Sequence, residues 1–140
     1  NYRFGRSVTI PFPSEGYLSE TPYNVIAQNK EANLHSLCFL DIAAEEQAFM
    51  SINHALEILE LLERKRGERV ITAQTLAVGV ARAGSEDAVV KADYLRSLAE
   101  YNFPGPPHSV VIPANRLHFM EAEALIRIAG APEKVREMVE

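Results

Sequence analysis

Short runs dense in apolar residues alternate along this chain with longer stretches whose apolar positions recur every three or four residues. The first kind predicts buried strands and the second predicts helices packed by one face. Residues 6–10 carry Val8, Thr9 and Ile10, β-formers that stop at Pro11. Residues 34–41 read LHSLCFLD and residues 75–82 read TLAVGVAR, both short and mostly apolar. Gly79 inside the second run predicts close approach of a neighbour. Residues 88–91 predict a short strand, and residues 109–112 (SVVI) the last one.

Thr21 and Pro22 read as an N-cap and a first-turn proline, opening a helix to about Glu31 that buries Val25 and Ile26. Ser51 caps the clearest helix. There Ile52, Ala55, Leu56, Leu59 and Leu62 form one stripe, and Gly67 ends it. Ile58 and Leu61 make that stripe wider than one sheet face requires, which predicts either deep packing or a subunit interface. Further helices are predicted over residues 93–101 and 117–129, the latter closed by Gly130, with a short terminal helix from Pro132. Residues 11–20 form a loop with Phe12 and Tyr17 exposed, and FPGPP (103–107) excludes helix and central strand. The order β-α-β-α-β-β-α-β-α predicts an α/β domain: a mixed sheet flanked by helices. Helix-length connections make the first three strands parallel.

At 140 residues, 47% of them hydrophobic, the chain suits one compact domain with a real core. A formal charge of −5 argues against a direct nucleic-acid binder, which would show a basic patch. No apolar run reaches the ~20 residues of a membrane span, and no signal-peptide pattern is visible. A single cysteine, Cys38, allows no internal disulfide and fits a cytoplasmic protein. Asn1 stands directly before a predicted strand with no initiator Met, so the start is expected to be a cut rather than a native terminus.

No stand-alone catalytic motif is present. His118 and Glu121 share a helix face, but without a third ligand they read as a hydrogen-bonded pair, and no metal is expected. Cys38 lies in an apolar strand and reads as a small hydrophobe rather than a nucleophile. Asp41 ends a buried strand, where a carboxylate either caps backbone amides or faces a cleft. Ligands of open α/β sheets sit outside the carboxyl ends of the strands. Leu40-Asp41 ends one strand and Ala83-Gly84-Ser85 follows another. If residues 109–112 run antiparallel to residues 34–40, His108 falls at the same edge.

Several linked strings carry a resemblance over nearly the whole chain. They are YRFGRSVTIPFPSEGY (2–17), LHSLCFLDI (34–42), TLAVGVARAGS (75–85), Pro106-Pro107-His108 and LHFMEAEALIRIAGAP (117–132). In this order they resemble the C-terminal domain of the diphthine synthases, within the tetrapyrrole-methylase class of methyltransferases. The resemblance implies a second domain with a five-stranded mixed sheet whose last two strands oppose the rest. It implies a two-domain homodimeric enzyme that binds S-adenosyl-L-methionine between its domains. The implied substrate is the modified histidine of elongation factor two, whose amino group is methylated in diphthamide biosynthesis. Leu40, Ala83 and His108 match the family's second-domain cofactor contacts. The family's first-domain Gly-rich loop and GDP motif are not in this sequence, and residues 13–23 and 43–51 match less closely.

No catalytic residue is assigned, although Asp41 and Glu121 are the carboxylates that could assist the transfer, and Tyr17 or Phe12 could attract a quaternary ammonium product. The alternatives are a tetrapyrrole methyltransferase of the same class and a non-catalytic α/β binding or dimerisation domain.

Overall fold

A computed structural model describes residues 3–43 and 48–140. Its sheet is built from β1 (Val8–Ile10), β2 (Ser36–Leu40), β5 (Leu76–Ala81), β6 (Val89–Tyr94) and β7 (His108–Ile112). The spatial order is β1-β2-β7-β5-β6. β1 runs parallel to β2, β7 runs antiparallel to both β2 and β5, and β6 runs antiparallel to β5. The first three strands of the sheet therefore share one direction and the last two oppose them, as expected. A two-residue hairpin, β3 (Ile42–Ala43) with β4 (Ala48–Phe49), stands apart from this sheet. The tip of the 43–51 segment and residue 2 of the opening string lie outside the described residues.

One sheet face carries α1 (Thr21–Glu31), α2 (Ile52–Arg66) and α3 (Leu95–Leu98) over the larger core. All five stripe residues of α2 are fully buried, and Ile58 joins them at 2% exposure. Only Leu61 of the widened stripe faces outward, so deep packing accounts for that face. Ser51 Oγ accepts from the His54 amide, and Gly67 closes the helix at φ 66°. The other sheet face is covered at one end by α4 (Phe119–Ala129) and a terminal 3-10 helix (Glu133–Met138).

The structure departs from expectation at several element ends and at Phe12. Glu20, not Thr21, is the N-cap of α1, which places Pro22 in its first turn. β6 continues to Tyr94, because its ladder with β5 extends to the Leu76–Tyr94 pair, leaving α3 only one turn. Leu117 bridges to Val139 instead of entering α4, and His118 takes the N-cap. Phe12 packs against the main core and beside the His54 ring, 5.8 Å away, whereas Tyr17 is exposed as expected.

Gly79 shows why its position tolerates no side chain. A Cβ there would clash with the edge of the Phe103 ring and stand 3.1 Å from Ile52 Cδ1. Gly79→Ala should cost about 1–3 kcal/mol, the range for overpacking a filled core. Chemical denaturation should show a lower midpoint, and an unchanged midpoint would mean that Phe103 moves aside freely.

Candidate functional site

The antiparallel pairing of β2 with β7 brings three sequence-predicted residues to one edge of the sheet. Leu40 ends β2, Ala83 lies two residues beyond the end of β5, and His108 begins β7 opposite Ala81. The register Phe39–Ser109 leaves Leu40 and His108 at that same edge.

The turn after β5 is shaped by its backbone. Arg82 adopts φ 57° and Gly84 φ 84°, and the Arg82 amide donates to Pro107 O at 2.7 Å. This bond pins the turn to the segment before β7, whose Pro106–Pro107 peptide is cis. The Ser85 amide closes the turn onto Arg82 O, and Arg82 pairs with Asp87. Ala83 is exposed, and a Cβ on Gly84 would meet nothing within 4 Å. Among the described residues the Ala83 and Gly84 amides donate to no protein acceptor. The edge thus offers open backbone donors beside small residues, a surface that a flat ring with edge acceptors fits.

His108 is held on both ring nitrogens. Nδ1 accepts from the Ile52 amide at 3.2 Å, which leaves Nε2 protonated to donate to Pro104 O. The histidine satisfies one of the orphan amides at the start of α2 and ties the FPGPP segment to β7. Its ring stands 6.2 Å from Phe103, which in turn meets Tyr101 edge-on at 4.8 Å. A ligand at this edge can therefore use the face of the His108 ring, while both ring nitrogens stay with the chain. Leu40 is half-buried against the main core, so it presents backbone and one apolar flank.

The two carboxylates considered for chemistry are otherwise engaged. Asp41 accepts from the Phe12 amide (3.0 Å) and the Ile42 amide (2.9 Å), a clamp between the loop after β1 and the hairpin. Glu121 lies at the opposite edge of the sheet, beside residues that precede β2 and follow β7. There it accepts from Arg3 (2.6 Å), from His35 Nε2 (2.7 Å) and from the His118 amide (2.7 Å). His118 in turn accepts from the Met120 amide, so the His118–Glu121 pair is a capping box. Cys38 is buried, and burial pushes its thiol up to about 12, far from a reactive thiolate. Among the described residues no group of three His, Cys, Asp or Glu is placed to hold a metal.

Sequence reasoning missed a second surface. The sheet face away from α1 and α2 presents Leu37, Phe39, Val80, Val90 and Val111, and α4 covers only part of it. Phe39 is 49% exposed and Ile128, at the rim, 76%. The period-two alternation that buries Cys38 also dictates that Phe39 points the other way, so the signal was present. The uninterrupted apolar run concealed which face lacked a cover.

Comparison with known proteins places this fold. Along its whole length the chain is 49% identical to a diphthine synthase of Methanosarcina acetivorans and 52% identical to one of Methanococcoides burtonii. Over its whole length the chain is similar to diphthine synthases. It spans about half the length of those relatives, 53% in both cases. A crystal structure of a diphthine synthase superposes with a TM-score of 0.85 at 39% identity, covering 99% of this chain and 50% of that one. No family model matches the chain. The five-stranded mixed sheet and the linked strings that carried the resemblance agree with this family.

Proposed function

We propose that this chain is the C-terminal domain of a two-domain, S-adenosylmethionine-dependent methyltransferase. In this reading the whole enzyme methylates the amino group of the modified histidine of elongation factor two, the diphthine synthase reaction of diphthamide biosynthesis, in the cytoplasm. The observation that carries it is identity near one half, unbroken over the entire chain, to proteins that bear that name. Nothing in the comparisons favours a tetrapyrrole substrate or a non-catalytic role.

The edge formed by Leu40, Ala83 and His108 is assigned to the cofactor's adenosine end. When bound, S-adenosylmethionine supplies a methyl group already activated on a sulfonium. The chain's own task is then positioning. Leu40 gives an apolar flank, the turn at Ala83 and Gly84 gives open amides, and His108 keeps the first turn of α2 against the site. A second domain closing over this edge would supply the other wall. Asp41 and Glu121 are committed to backbone and side-chain partners, so neither of these two carboxylates stands free to act as a general base. Displacement at a sulfonium does not demand a strong one if the amine arrives unprotonated.

The homodimer implied by the family resemblance finds its support on the open sheet face, not on α2. A contiguous apolar surface of this kind marks an association site. Stable association buries roughly 1,200 Å² or more in total. Val90→Lys together with Ile128→Lys should convert the full-length protein to monomer in light scattering at micromolar concentration. Leu61→Lys should leave its mass unchanged, and the reverse result would move the interface back to α2.

The functional reading is tested with methyl-labelled S-adenosylmethionine, the full-length protein and elongation factor two bearing the unmethylated aminocarboxypropyl-histidine. Label should enter that residue, and the mass of the modified peptide should give the number of methyl groups. A full-length protein that binds the cofactor but leaves this substrate unlabelled would refute the assignment.

A further inference from the structure

At the sheet edge opposite the cofactor edge, Lys30 occupies a setting that methyl transfer does not use. It lies in the last turn of α1, and its ammonium donates to Asn115 Oδ1 at 2.8 Å and to Pro113 O at 3.3 Å. Both acceptors are neutral. Among the described residues no carboxylate approaches it within ion-pair distance. An ammonium carries three N–H donors, so one remains for another partner. Burial pushes the group down to about 8, the mark of a cation without a counter-charge.

Lys30 lines a cavity of about 490 Å³ where the start of β5, the ends of β6 and β7 and the terminal 3-10 helix meet. Leu76, Tyr94, Pro113 and Met138 contribute to its walls, and Lys134 and Glu137 stand exposed at its rim. The space is many times the ~30 Å³ share of one water. Lys30 is half-buried and its charge faces only neutral acceptors, so an anion entering here would supply the counter-charge it lacks.

We propose that this cavity is a binding site for a small oxyanion, a carboxylate or phosphate group, held by Lys30 within and Lys134 at the rim. Glu137 is the one acidic residue lining the cavity and opposes the ligand's charge. Its removal therefore distinguishes anion binding from a merely structural lysine. A structural Lys30 would be indifferent to Glu137 and to added anions.

The test titrates the full-length protein with inorganic phosphate and, separately, with citrate, following side-chain and backbone shifts at Tyr94 and Met138 by NMR. Saturable binding of at least one of the two is expected, and binding of one alone tells a phosphate ligand from a carboxylate. Lys30→Gln should weaken that binding about tenfold, as loss of a charged contact does. Glu137→Gln should tighten it several-fold, and Glu57→Gln on α2 should change nothing. Thermal unfolding of the Lys30 variant checks that its fold is kept. Because Glu137 is exposed, its variant decides the matter even if Lys30→Gln unfolds. Shifts that rise linearly with both anions, or equal affinities in wild type and the Glu137 variant, would overturn the proposal.

Discussion

Ala83→Trp in the full-length protein is expected to weaken S-adenosylhomocysteine binding about a hundredfold while leaving the fold intact. The Ala83 side chain is exposed, so a large residue there meets solvent in the free protein and costs little stability. In the complex it would occupy the space that the neighbouring Gly84 leaves open. An adenine denied its slot loses its buried apolar contact, roughly 3 kcal/mol, or about a hundredfold in affinity. Leu40→Met keeps volume and polarity and should bind within a few-fold of wild type. Calorimetry on the three proteins measures this directly. Unchanged binding by Ala83→Trp would place the cofactor elsewhere and leave the family assignment standing.

His108 belongs to the same test but with a different expected signature. From sequence it offers a ring and one hydrogen bond to a ligand. The structure commits both ring nitrogens to Ile52 and Pro104, so a ligand can take only the ring's face. His108→Ala should therefore lower stability by about 1–2 kcal/mol through the unsatisfied Ile52 amide. Its effect on the cofactor should be smaller than that of Ala83→Trp.

That difference marks what the sequence could reveal. Strand and helix identity was legible because the apolar period changes sharply, and Ser51, Gly67 and Gly130 mark helix ends by local chemistry alone. The antiparallel placement of β7 was legible from the argument that one edge collects the small residues and the histidine. Partners of polar side chains were not, because they depend on distant segments. His35 and Glu121 are 86 positions apart, and Lys30 meets Asn115 across 85. The limits of α3 were also hidden: residues 93–94 are extended because of their pairing with β5, a non-local ladder that overrides the helical pattern. The uncovered sheet face was hidden for a related reason, since a strand's sequence does not say which helices will reach it.

Glu121→Ala should be the most destabilising single change outside the main core, and its effect should vanish in acid. The carboxylate joins the N-terminal segment through Arg3, the start of the β2 region through His35 and the start of α4 through the His118 amide. His35 is 7% exposed, and its Nδ1 accepts from the Ala114 amide, so Nε2 carries the proton that Glu121 receives. Removing the carboxylate leaves that buried donor unpaired, and Arg3 loses its counter-charge. Losses of this kind sum to about 2–4 kcal/mol. Partial burial by itself would raise the Glu121 carboxyl. The Arg3, His35 and His118 donors outweigh burial and hold it down at about 2, against 4.5 for a free glutamate. The folded value lies below the unfolded one, so the carboxylate stabilises the fold fully above about pH 4.5. That contribution fades as pH falls toward 2. Urea unfolding of wild type and Glu121→Ala should thus show a wide gap at pH 7, a narrowing gap below pH 4.5 and near-coincidence close to pH 2. A gap that stays constant from pH 7 to pH 2.5 would mean that packing of the side-chain stem, rather than its charge, holds this corner of the sheet together.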